Sequence, residues 1–148
     1  MNDVVSAIKD DHRRIEVLLI ALHDRGGREQ TVRELYGALT AHTDAEETEV
    51  YPLIEDGISP REAEVLAAHE AHARADILVK SLLDSSPDSE DFDAILADLE
   101  EVITRHVEAE EEDLLPALAA SSSSEQLGEL AEAFSTRRAD VLAELGAD

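Results

Sequence analysis

The chain has 148 residues, carries 36 acidic against 12 basic side chains for a formal charge of -24, and contains no cysteine. That length suits one folded unit with a working core, and the charge speaks against nucleic acid and anionic membrane surfaces, which are bound through clustered Lys and Arg. Without cysteine there is no disulfide framework, thiolate zinc site or thiol nucleophile, so any metal must be held by histidine and carboxylate.

The N-terminal run to Asp11 is acidic and soon polar, unlike a signal peptide. No stretch of 18 apolar residues occurs, so a cytoplasmic protein is expected. The first helical segment shows Ile8, Ile15, Leu18, Leu19 and Leu22 at helical spacing and stops at Gly26-Gly27. A second runs from there to Gly57. Ser59 and Pro60 are suited to cap and open a third, which ends in Ser85 to Ser89, and a fourth continues to the serines at 121 to 124. Ser124 then precedes a fifth, with Leu127, Leu130, Phe134, Val141 and Leu145 on one face. Long β-branched runs of period two are absent. The pattern predicts an all-α fold, an up-down-up-down four-helix bundle over about residues 3-120 with a shorter C-terminal helix over about 124-145, in a single domain 1-148. The fifth segment has no histidine and is expected to serve as a cover or as a contact in a homo-oligomer.

Two stretches repeat. Residues 42 to 54 and 106 to 118 share His, a carboxylate four residues on, a second carboxylate beside it, and Pro at the tenth residue after the His. The segments around His12 and His72 also align. In an antiparallel bundle, residues equidistant from a turn share a height. The midpoints of His12 and His42, of His42 and His72, and of His72 and His106 are positions 27, 57 and 89, each inside a turn found from composition. Four histidines, one per helix, are thus expected at one level.

His42 with Glu46, and His106 with Glu110, are four residues apart, which puts each pair on one helix face about 6 Å apart. Opposed His and carboxylate pairs suit a hard or borderline divalent metal, and the carboxylates can bridge two ions. Burying such carboxylates without a cation costs several kcal/mol each. Glu47 and Glu111 are placed to support their neighbours or to replace them as bridges. Glu16 and Asp76 stand between supporting partner and remote ligand. His69, one turn before His72, is a candidate additional ligand. His23 lies ~16 Å along the helix from His12 and reads as a helix-end residue. Tyr36, Tyr51, Phe92 and Phe134 read as core or boundary residues, and Pro52 and Pro116 are expected to bend or end their helices.

Asp11-His12 with Glu16, His42-x3-Glu46-Glu47 with Tyr51-Pro52, His72, and His106-x3-Glu110-Glu111 with Leu115-Pro116 together resemble the hemerythrin-like, HHE cation-binding domain family. The resemblance implies a four-helix bundle holding two iron ions with an oxo or hydroxo bridge. It implies His12, His42, His72 and His106 as terminal ligands and Glu46 and Glu110 as bridges. The chain departs from the oxygen carriers of the family, which have two histidines four apart on the third helix; here Asp76 follows His72 and Ala73 follows His69. That departure counts against reversible oxygen carriage. The implied function is to bind, sense or detoxify oxygen, nitric oxide or peroxide, with the identity of any protein redox partner left open. Two other readings compete with it: a ferritin-like or peroxidase- or catalase-like di-iron enzyme, and a metal-free helical interaction module. The Glu-x-x-His motif of ferritin-like sites is missing before every histidine.

Overall fold

A computed structural model describes residues 3-57 and 61-146. Among these residues all regular structure is helical. The first helix, α1 (Val4–Ala21), opens with the Asp3 side chain accepting from the Ser6 amide. The chain turns at Gly27, whose φ of 77° favours glycine. It then forms α2 (Arg28–Ala45), which passes through a π-helical turn (Glu46–Val50) straight into α3 (Tyr51–Gly57). The third arm is α4 (Glu62–Asp84). The fourth repeats the second: α5 (Glu90–Ala109), a π-helical turn (Glu110–Leu114) and α6 (Leu115–Ser121). Last comes α7 (Ser124–Glu144), which at 21 residues is longer than α1.

The expected cap at Ser59 and Pro60 falls outside the described residues; α4 is entered through Arg61. The cap of α7 is one residue earlier than expected: Ser123 and Gln126 form the reciprocal capping box, and Ser124 is already helical. Pro52 and Pro116 neither end nor break their helices. In each arm the wider turn precedes the proline, and the amides of Tyr51 and Leu115 donate to the carbonyls of Glu46 and Glu110, five residues back. One extra residue is thus absorbed ahead of a residue that has no amide hydrogen to give.

Packing follows the up-down-up-down order. α1 lies on α2, α2 on α4, α4 on α5, and α5 closes on α1, while α7 lies across α1 and α2. The apolar interior is in two parts. One, around Ile8, Tyr51, Ile54, Leu115 and Phe134, is covered by α7. The other, around Leu19, Leu35, Leu82, Phe92 and Leu99, fills the opposite end. The buried polar residues between them are His12, His42, Glu46, His72 and Glu110.

The far end is closed by a cation that sequence reasoning does not single out. Arg28 is 3% exposed, its guanidinium donates to the Leu22 carbonyl at 2.8 Å, the Pro87 carbonyl at 2.6 Å and Asp93 at 2.8 Å, and it lies 4.4 Å over the Phe92 ring. It ties the first turn to the third. Arg28→Met leaves the Leu22 and Pro87 carbonyls without this donor, while Asp93 keeps solvent and Arg25, and is expected to lower unfolding free energy by about 2 kcal/mol, measured by urea unfolding.

Candidate metal centre

Four histidines converge between the two apolar clusters, one from each main helix, as the turn midpoints predict. His12 (α1) and His42 (α2) form one pair, with ring centroids 5.1 Å apart. His72 (α4) and His106 (α5) form the other, at 4.6 Å, with their Nε2 atoms 3.0 Å apart. Glu46 and Glu110, each the first residue of a π-helical turn and each fully buried, stand between the pairs. Glu46 Oε1 is 3.1 Å from His42 Nε2 and 3.3 Å from His72 Nε2. Glu110 reaches His12 Nε2 at 2.9 Å and His106 Nε2 at 3.6 Å. Each carboxylate therefore touches one histidine of each pair.

The donor set suits metal. His12, His42, Glu46 and Glu110 offer ligand atoms all within 4.8 Å of one another, and Glu46, His72 and His106 form a second such group. Glu46 belongs to both. His12 Nε2, His42 Nε2, Glu46 Oε2 and Glu110 Oε1 are buried without a hydrogen-bond partner, since the 2.9 Å approach of His12 to Glu110 lacks hydrogen-bond geometry. Buried polar atoms are normally satisfied, so four orphaned donors facing one another fit cations of borderline hardness.

A ring of outer carboxylates fixes the imidazoles. Nδ1 of His12 donates to Glu111 at 2.7 Å, Nδ1 of His42 to Asp11 at 2.8 Å and Nδ1 of His72 to Glu47 at 2.7 Å. A proton held on Nδ1 turns the Nε2 lone pair inward, the arrangement that supports imidazole ligation. His106 makes its recorded polar contacts through Nε2 alone. The C-terminal helix α7 joins in: Arg138 hydrogen-bonds Asp11, Arg137 bonds Asp44 at 2.6 Å, and the Phe134 ring lies edge-on to His42 at 5.7 Å. The expectation of a cover is met, but this cover also braces a ring of the cluster.

The electrostatics are those of two carboxylates forced together. Burial and the charge of Glu46 push Glu110 up to about 7. Glu46 is held well below the usual carboxylate range, because His42 and His72 outweigh its burial. Burial opposes protonation of His42, yet Glu46 and Asp11 raise it to about 10. His72 is raised to about 9 against burial by hydrogen bonds to Glu46 and Glu47. His106 drops to about 3 through burial and the neighbouring His72.

Other sequence candidates lie elsewhere. His69 is half-buried, beside Glu47 at 3.2 Å and edge-on to the Tyr51 ring at 5.5 Å, and stands outside both ligand groups. Asp76 pairs with Lys80 at 2.9 Å and Glu16 with Arg13 at 2.9 Å, both on the surface. Glu111 and Glu47 orient imidazoles instead of standing between the pairs. His23, just past the end of α1, meets Glu100 at 2.9 Å.

Tyr51, read from sequence as core or boundary, is buried but also belongs to this cluster. Its hydroxyl donates to Glu110 and lies 3.3 Å from Glu46 and 3.4 Å from His72 Nε2, with the rings stacked at 19°. Burial and both carboxylate charges keep the phenol protonated. Its position five residues after Glu46 was visible, but only the wider π-helical turn brings it to the same face. On the other side, a void of about 20 Å³ touches all four histidines and is closed by apolar side chains including Ile15, Leu39, Ile103 and Val107. It has room for one water-sized molecule.

A family profile described as Hemerythrin HHE cation binding domain matches residues 3–118. A crystal structure of a hemerythrin HHE cation binding domain-containing protein from Mycobacterium kansasii superposes with a TM-score of 0.83 at 21% identity, covering 97% of this chain and 90% of that one. A DNA nickase from Nostoc sp. (strain PCC 7120 / SAG 25.82 / UTEX 2576) is 25% identical over 148 residues, 97% of this chain and 41% of that protein. The chain thus spans less than half of that relative's length.

Proposed function

We propose, from the premise that this chain belongs to the hemerythrin HHE cation binding domain family, that it is a non-haem di-iron protein that binds a small oxidant such as oxygen, nitric oxide or peroxide. The observation that carries this reading is the sharing of Glu46 and Glu110 between the two histidine pairs. Such sharing suits two ions better than one. When bound, an iron pair supplies paired one-electron redox change to a small ligand.

The chain's own residues supply the rest. His12 and His42 would hold one ion, His72 and His106 the other, and the two carboxylates would fix their spacing. Asp11, Glu47 and Glu111 keep Nε2 of three imidazoles turned inward. The two apolar clusters close both ends of the site, and the void beside the histidines limits the ligand it can take to a few atoms. Tyr51 holds a proton at its hydroxyl against Glu110, on the side of the cluster away from the void, where it steadies the charge of that carboxylate. Slow peroxide-consuming turnover is the enzymatic form of the same reading. DNA nicking belongs to the name of the Nostoc relative; a chain of charge -24 is poorly suited to a phosphate backbone.

Protein purified without added metal should contain two irons per chain and show an absorption band that changes with oxygen or peroxide. One ion per chain, or none, sinks the di-iron reading, and none also leaves the helical interaction module standing. Leu39→Phe, which fills the void, is expected to suppress the spectral response while iron content stays at two. Asp11→Asn should weaken iron binding by about 10- to 100-fold in competition with a chelating dye.

A further inference from the structure

The candidate ligands lie in the interior, so a cation needs a way in. On one side α7 covers α1 and α2, with Phe134 against His42, and the two apolar clusters close both ends. The seam between α4 and α5 is different. A groove of about 590 Å³ runs along it and reaches His106 and Glu110. Its walls include Ala67 and Ala71 from α4 and Ala109 from α5, side chains too short to fill the gap. The grooves between α3 and α7, along α7, and between α2 and α7 touch none of the six candidate ligands.

Two further observations point inward from that groove. Glu110 is 0% exposed and its Oε1 has no hydrogen-bond partner. His106 has the most exposed side chain of the four central histidines, at 12%. The lining carries six other carboxylates, Glu70, Asp98 and Glu112 among them, against Arg74 and Arg105. A cleft of one predominant sign concentrates counter-ions and speeds their capture.

We propose that the α4–α5 groove is the route by which a divalent cation reaches the centre, drawn in by the carboxylate lining and received first by Glu110 and His106. The inference rests on the metal-binding reading of the cluster and adds where the ion passes. The alanines matter because they leave the passage open, and the surrounding acid disfavours small anions in the same passage.

Cobalt(II) uptake by metal-free protein, followed by stopped-flow absorption, tests this without any turnover. Glu70→Gln, Asp98→Asn and Glu112→Gln together should slow loading about tenfold at low ionic strength (about 10 mM), and the difference should shrink at about 0.5 M salt. Ala67→Leu with Ala109→Leu should slow both uptake and chelator-driven release, leaving the final cobalt content unchanged; circular dichroism checks that the variant is folded, and Ala67→Leu alone serves if the pair is not. Glu125→Gln, Glu129→Gln and Glu132→Gln on α7 remove the same charge elsewhere and should load like the parent. Native rates in the leucine variant, or equal slowing in the α7 control, overturn the proposed route. Failure of the parent to bind cobalt at all would instead defeat the reading of the cluster as a metal centre.

Discussion

Iron loading is expected to raise the melting temperature by about 10 °C, and Glu46→Ala or Glu110→Ala to abolish that rise. A ligand that binds only the folded chain at about a thousand times its dissociation constant contributes about 4 kcal/mol, and for a domain of this size each kcal/mol is worth about 2 to 4 °C. The effect should be large because the metal-free protein brings two buried carboxylates, three buried imidazoles and the nearly buried His106 within contact distance. It now holds them together partly with protons, as the raised His42, His72 and Glu110 show. Cations replace that arrangement with bonds to every inward donor. Differential scanning calorimetry with and without chelator measures the shift. A parent protein with the same melting temperature in both conditions would mean that the cluster is a hydrogen-bonded core and not a metal centre. A shift that survives in Glu46→Ala would place the ion elsewhere.

The convergence of the four histidines could be read from the sequence because it depends on helix count and turn position alone. Positions 27, 57 and 89 lie midway between successive histidines, and in a bundle of rigid arms that is enough to set their height. The pairing of His42 with Glu46 and His106 with Glu110 was legible for the same reason, since four residues make one turn. What surrounds them was not. The i to i+4 rule assumes an uninterrupted α-helix, whereas both arms widen at the glutamate itself. That change brings Tyr51 to the cluster and carries the chain through Pro52 and Pro116. A signal was present in the two copies of a proline six residues after the glutamate, but a proline alone does not distinguish a kink, a stop or a wider turn.

The outer carboxylates were harder still to assign. Asp11 belongs to α1 but orients His42 on α2; Glu111 on the fourth arm orients His12; Glu47 on the second orients His72. Each contact crosses between helices, so no spacing within a segment encodes it. The bond of Arg138 to Asp11 spans 127 positions and depends on where α7 lies. The repeat marks Glu47 and Glu111 as supporting carboxylates but not which imidazole each one orients, and in a chain with 36 acidic residues nothing local gives Asp11 its role toward His42.

Metal affinity is expected to rise steeply with pH, by about 100-fold per unit for the ion pair between pH 7 and 9. His42 and His72 carry protons through most of that range, being raised to about 10 and about 9, and both must lose them to bind metal. Two protons released give a slope of two in the logarithm of the binding constant. Toward lower pH Glu110 holds a third and His12, raised against its burial by Glu110, a fourth, so the slope should steepen; His106, at about 3, contributes none. Without metal, the same two imidazoles give stability in the opposite direction. Their folded-state values lie above the ordinary 6.5, so their ion pairs contribute fully below that pH and are lost as pH rises through about 9 and then 10. The metal-free protein should therefore weaken progressively from about pH 6.5 to about 10, most steeply below about 9, while the loaded form does not. Chelator competition across this range, with calorimetry in two buffers of different ionisation enthalpy, counts the protons. A flat affinity profile would mean that the imidazoles are already neutral, and that Glu46 and Asp11 do not hold the His42 proton as the geometry requires.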